Sequence, residues 1–129
     1  MNAVEFERIC DAFREADRAQ DVAPLAAVLD PEVGWASTRS GPGNCHSRDE
    51  VLNVWRSGLA RGMVGHVEEM VEVRGRILLI LRRHHPGRGR RRLGTHVLSV
   101  HQGQVTQIQD YYSRKEALQA LEPHRMGGD

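Results

Sequence analysis

Past His66 the apolar residues stop recurring every three or four positions and begin to alternate, and this change of period limits the folds open to the chain. Before it, Phe6, Ile9, Cys10 and Phe13 repeat at helical spacing behind Asn2 and Glu5, which predicts an amphipathic helix from residue 3 to about 19. Asp21 opens a second, short helix carrying Leu25, Val28 and Leu29. Ser47 and Glu50 open a third, whose stripe is Val51, Leu52, Trp55 and Leu59 and which ends at Arg61-Gly62. Between the second and third helices, Val33, Trp35 and Ser37 alternate as a strand, and Thr38 to Ser47 is turn chemistry.

After the change come four strand patterns: 66–73, 77 to about 85, 93–101 and 105–112. Arg74-Gly75-Arg76, Pro86–Arg92 and Gln102-Gly103 separate them. Ser113 and Glu116 open a terminal helix with Leu118 and Leu121, which Pro123 ends. Helices followed by consecutive strands make an α+β chain whose sheet buries one face under the helices. At 129 residues we expect one domain over residues 1–122, with 123–129 as a flexible tail.

A net charge of +1 gives no field to draw the chain to nucleic acid or anionic lipid, and Ile77 to Leu81, the longest apolar run, is too short for a membrane span. The N-terminus lacks a signal-peptide hydrophobic stretch, so a cytoplasmic location is expected, with Cys10 and Cys45 reduced. Cys45-His46 adjoin only in sequence, in a Gly/Pro loop, and are read as structural. The seven histidines show no H-x-x-x-H or C-x-x-C spacing, so no metal is expected, and nothing requires a cofactor. The arginines at 88 and 90–92 are read as a solvated hairpin tip.

The chemistry concentrates on the last strand. Ile108, Asp110 and Tyr112 share a face by alternation. If that face is the core, it holds a carboxylate, and a buried acid is costly unless it is paired or shifted. Asp110 is therefore the first catalytic candidate, as a general acid or base. His96 is the second, and its place depends on the turn. A three-residue loop pairs Leu98 with Ile108 and His96 with Asp110; a two-residue loop sets Thr95 against Asp110 and turns His96 to the other face. Arg82 and His84 share a parity with Leu78 and Ile80; pointing inward, Arg82 would stabilise developing negative charge. On that parity Ile77, Leu79, Leu81 and Val97 face outward.

The order helix, helix, strand, helix and four-strand meander resembles the nuclear-transport-factor-2-like fold, and within it the SnoaL-like polyketide cyclases and limonene-epoxide-hydrolase-like proteins. Those hydrolases carry W-R-D-Y-F-D at the end of the last strand, where this chain has Ile108-Gln109-Asp110-Tyr111-Tyr112-Ser113. The resemblance implies a cone-shaped, curved antiparallel sheet wrapped by three helices of the N-terminal half, a central pocket, and homodimers through the outer sheet face. It makes Asp110 the catalytic acid and matches Arg82 to the hydrolases' arginine; their second carboxylate is absent, so their full relay is not expected. It also sets Trp35 and Ser37 among the pocket-lining residues. With Leu98, Ile108, Tyr112, His84 and Trp55 these are the expected substrate contacts. The expected function is acid–base chemistry on a small, largely apolar ligand, as a cyclase, isomerase, dehydratase or hydrolase. The alternative is a non-catalytic ligand-binding or dimerisation module of the same fold.

Overall fold

In a computed structural model, residues 1–38, 44–87, 89 and 92–123 are described. Most of the arginine tip and nearly all of the expected tail lie outside them.

Helix α1 (Ala3–Ala19) begins at a reciprocal cap: Asn2 Oδ1 accepts from the Glu5 N–H at 2.8 Å and Glu5 Oε1 from the Asn2 N–H at 2.9 Å. A short 3-10 turn (Ala23–Ala27) leads to β1 (Leu29–Ala36) and then α2 (Arg48–Ala60). Strands β2 (Val64–Val73), β3 (Arg76–His84), β4 (Arg92–His101) and β5 (Gln104–Tyr111) follow, and α3 (Arg114–Leu121) comes last. Ser47 and Ser113 cap α2 and α3 through the N–H of Glu50 and Glu116. Each of those glutamates reaches back one residue further than a reciprocal box does, to the N–H of His46 and of Tyr112.

The sheet runs β1-β5-β4-β3-β2 and is mixed rather than antiparallel throughout, because β1 lies parallel to β5. β2 to β5 form an antiparallel meander. Its first and last hairpins close on two-residue turns, Arg74-Gly75 and Gln102-Gly103, with φ positive at both residues of each. That is the turn whose twist matches paired strands.

One face of the sheet meets α1, the 3-10 turn and α2. Ile9, Phe13, Leu25, Val51, Ile77, Leu79, Leu98 and Ile108 are buried there in one cluster. The opposite face carries Leu78, Ile80 and Val97, which α3 covers with Ala117 and Leu121. Full burial of a Leu or Ile side chain is worth about 1.5–3 kcal/mol, so the larger cluster dominates stability.

This arrangement corrects the expected parity of β3. Ile77, Leu79 and Leu81 point inward, and Leu78 and Ile80 point outward. The register decides it, since Leu79 lies opposite His96 and Ile77 opposite Leu98. Of the four residues expected on a dimerising outer face, only Val97 is there, so the dimer reading loses that support.

Both sheet edges are occupied. Along β2, Asp17 Oδ2 accepts from the Val67 N–H at 2.9 Å, and the Gln20 amide donates to the Gly65 carbonyl at 2.8 Å. Along β1, Trp35 and Cys45 exchange two backbone hydrogen bonds. Exposed edges template pairing between chains, and these contacts take up part of each edge.

Cys10 and Cys45 are free thiols, each 2% exposed, and burial pushes both above the ordinary thiol range. A thiol held protonated and out of solvent reacts slowly. Iodoacetamide at neutral pH is expected to leave the native protein unlabelled and to modify both cysteines in denaturant, as read by intact mass.

Candidate functional site

The site lies where β3, β4, β5 and β1 turn polar side chains toward the helix-covered face. Its register comes from a β-bulge. The Gln102-Gly103 turn pairs His101 with Gln104 and Val100 with Val105. The pairing then slips by one, so that Thr106 is extra, and Leu98 faces Ile108 and His96 faces Asp110. Neither loop reading anticipated this combination of a two-residue turn with the His96–Asp110 pair.

His96 Nδ1 lies 2.6 Å from Asp110 Oδ1, and the Trp35 Nε1–H donates to the same oxygen at 2.8 Å. The His96 side chain is 3% exposed and that of Asp110 17%. Arg83 Nη2 stands 3.4 Å from His96 Nε2. A guanidinium can only donate, so His96 Nε2 is an acceptor and the imidazole proton sits on Nδ1. The chain of donors therefore runs one way, from Arg83 to His96 to Asp110, and Trp35 joins it at the carboxylate. It suits a neutral imidazole and an ionised acid. Both donors share Oδ1; among the described residues none donates to Oδ2.

Gly94 makes room for this. A Cβ there would stand 2.9 Å from His96 Nε2 and 3.5 Å from Arg83 Nη1. Gly94→Ala is expected to cost about 1–3 kcal/mol by overpacking and to lengthen the His96–Asp110 bond. Chemical denaturation and the downfield imidazole N–H resonance would register the two effects.

Two hollows meet at the site. An inner one of about 220 Å³ lies between the helices and the sheet, walled by Phe13, Trp35, Trp55, Leu59, Val67 and Leu81. A rim cavity of about 800 Å³ is bordered by Ser37, Gly94, His96, Asp110 and Tyr112. Arg83 and Met63 belong to both walls. Trp35 and Trp55 pack with ring centroids 5.5 Å apart, and Trp35 also stands edge-on to His96.

The other expected residues fall as follows. Arg82 faces away from the site and pairs with Glu68 at 3.0 Å, so Arg83 takes the inward position. His84 stacks on His66 with centroids 6.1 Å apart; it borders the rim cavity with Asp110 but makes no hydrogen bond to it. Leu98 and Ile108 are fully buried beneath the site and line neither hollow. Tyr112 lies one residue past the end of β5; it is 70% exposed and its hydroxyl donates to the Thr38 carbonyl at 3.2 Å. Ser37 borders the rim cavity, its backbone N–H on Asn44 Oδ1, and Trp55 walls the inner hollow. Among the described residues no group of three or more metal-ligating side chains assembles, and no helix is long and apolar enough to cross a membrane.

Arg83 is the residue the sequence reading missed. Burial draws its guanidinium below the ordinary arginine range, and the charge of Asp110 partly offsets this. The sequence carries no signal for it, because the β3–β4 register is not written in the residues; the pairing of His96 with Leu79 makes the odd-numbered residues of β3 the inner set.

No family model and no curated protein matches the sequence. Solved structures do. A protein of unknown function from Burkholderia pseudomallei aligns over 95% of this chain and 100% of its own at 22% identity, with a TM-score of 0.67. A protein assigned as a polyketide cyclase from Sinorhizobium meliloti aligns over 86% and 100% at 12% identity and a TM-score of 0.66. An epoxide hydrolase of the limonene-epoxide-hydrolase-like type from M. tuberculosis aligns over 92% and 90% at 16% identity and a TM-score of 0.65. With three helices set on a curved five-stranded sheet, the chain has the nuclear-transport-factor-2-like fold.

Proposed function

We propose that this protein performs acid–base chemistry on a small, largely apolar substrate, with Asp110 as the group that moves the proton. One observation carries the reading: both donors to Asp110 fall on Oδ1, while the carboxylate borders a cavity and stays partly exposed. An oxygen so oriented can take a proton from a substrate carbon or hydroxyl and return it. His96 and Trp35 are positioning residues that hold the carboxylate. Arg83 takes the role expected of Arg82: it faces the hollow and stabilises negative charge that develops on a substrate oxygen. The aromatic wall of Trp35 and Trp55 suits an apolar substrate body. Cyclisation, isomerisation, dehydration and hydrolysis all need such a proton transfer, and the polyketide cyclase and epoxide hydrolase with this fold fit that range.

The test is proton exchange. Aryl ketones that raise the melting temperature are incubated with the protein in D2O and followed by NMR. Deuterium entering the carbon next to the carbonyl faster than in buffer is the expected result. Bound ketones that exchange no faster than in buffer would leave the non-catalytic binding module as the better reading.

A further inference from the structure

Adjacent arginines on β3 meet opposite fates. Arg82 lies on the outer face with Glu68 as its counter-ion. Arg83 lies inside, and among the described residues no carboxylate is within ion-pair distance of it. Among the described residues its one hydrogen-bond partner is His96 Nε2, at a long 3.4 Å. Asp110 is committed elsewhere, through Oδ1, to His96 and Trp35. A mostly buried cation without a counter-ion is costly unless something completes it.

The hollow that Arg83 faces has Phe13, Trp35 and Trp55 on its walls. Its other arginine, Arg61, is exposed and donates to Ser57 Oγ. A cavity of about 150 Å³ accepts a benzene ring, so one of about 220 Å³ accepts a somewhat larger flat ring system. The acids at this hollow, Asp17 and Asp21, stand on and just past the C-terminal end of α1; Asp17 is engaged by His66 and the Val67 N–H, and Asp21 by the Ala23 N–H.

We infer that the inner hollow is a subsite for an aryl oxyanion, a flat aromatic ring bearing a carboxylate or ionised hydroxyl whose charged oxygen pairs with the Arg83 guanidinium. This rests on the pocket reading above and names its ligand class. The ring lies against the paired tryptophans, and the oxyanion supplies a counter-charge at ion-pair distance, which no described carboxylate does. A planar carboxylate also matches the guanidinium fork in two parallel hydrogen bonds.

Both tryptophans of the chain wall the hollow, so their fluorescence reports binding directly. Three probes of one shape separate the possibilities: naphthoate, neutral naphthalenemethanol, and cationic naphthalenemethylammonium. Naphthoate is expected to bind at least about tenfold more tightly than either of the others. Arg83→Met should remove that preference while retaining the neutral probe, and Arg83→Lys should keep part of it. Equal affinity for all three probes, tighter binding of the ammonium, or an anion preference that survives in Arg83→Met would each overturn the assignment. Should Arg83→Met not fold, the wild-type comparison still decides. Proton exchange reads Asp110 and the probe series reads Arg83, so each reading can fail without the other.

Discussion

Asp110→Asn is expected to fold like the parent and to lose about 10²–10⁴-fold of any proton-transfer rate the protein supports. Asparagine has the shape of the carboxylate, and its amide oxygen can still accept from Trp35 Nε1 and His96 Nδ1, so the two contacts at 2.8 and 2.6 Å have a route to survive. What disappears is the ability to take up and release a proton. The comparison therefore isolates chemistry from architecture. Circular dichroism should superimpose on the parent, the melting temperature should fall modestly as charged hydrogen bonds become neutral ones, and deuterium incorporation into a bound ketone should fall to the buffer rate. An asparagine variant that exchanges as fast as the parent would remove Asp110 from the mechanism.

His96→Leu is the substitution near the site expected to cost most in stability. It removes a donor to a carboxylate that is only 17% exposed, and it strips Arg83 of its hydrogen-bond partner among the described residues. A hydrogen bond to a charged group is worth about 1.5–3 kcal/mol. We expect a loss of about 2–3 kcal/mol, or a fall in melting temperature on the order of 10 °C. The loss should shrink when Asp110 is already Asn, because the charge that makes the bond strong is then gone. A double-mutant cycle in urea measures this, and additive effects would mean that the two side chains are not coupled.

Much of the fold was legible because its local signals agree with its global arrangement. Asn2 with Glu5, Ser47 with Glu50 and Ser113 with Glu116 start helices where a capping reading puts them, and Arg74-Gly75 and Gln102-Gly103 turn the chain where a hairpin reading does. Asp110 stood out because a carboxylate among Ile108 and its neighbours has to be explained. β3 was illegible for the opposite reason. Ile77, Leu78, Leu79 and Ile80 are all apolar, since helices cover both faces, and alternation then carries no sign. Choosing the wrong sign exchanged Arg82 for Arg83 and sent three core residues to an imagined interface. Tyr112 does border the rim cavity, but β5 ends one residue before it, and its ring is exposed at the rim rather than set deep in a pocket. The parallel pairing of β1 with β5 had no local signature, because parallel neighbours are fixed by the whole topology.

Thr106 makes no contact with the acid four positions on, yet the slip it sits in decides which layer of the molecule that acid enters. Were the ladder from the Gln102-Gly103 turn to run on without that slip, Asp110 would face Thr95 and its carboxylate would lie on the side beneath α3, away from its indole and imidazole donors. A chain shortened by this threonine alone would need no bulge to set the same aspartate against His96. Within such a lineage, strand length and bulge have to change together for the proton-moving layer to persist. Lining up letters without counting the bulge would misjudge which relatives keep it.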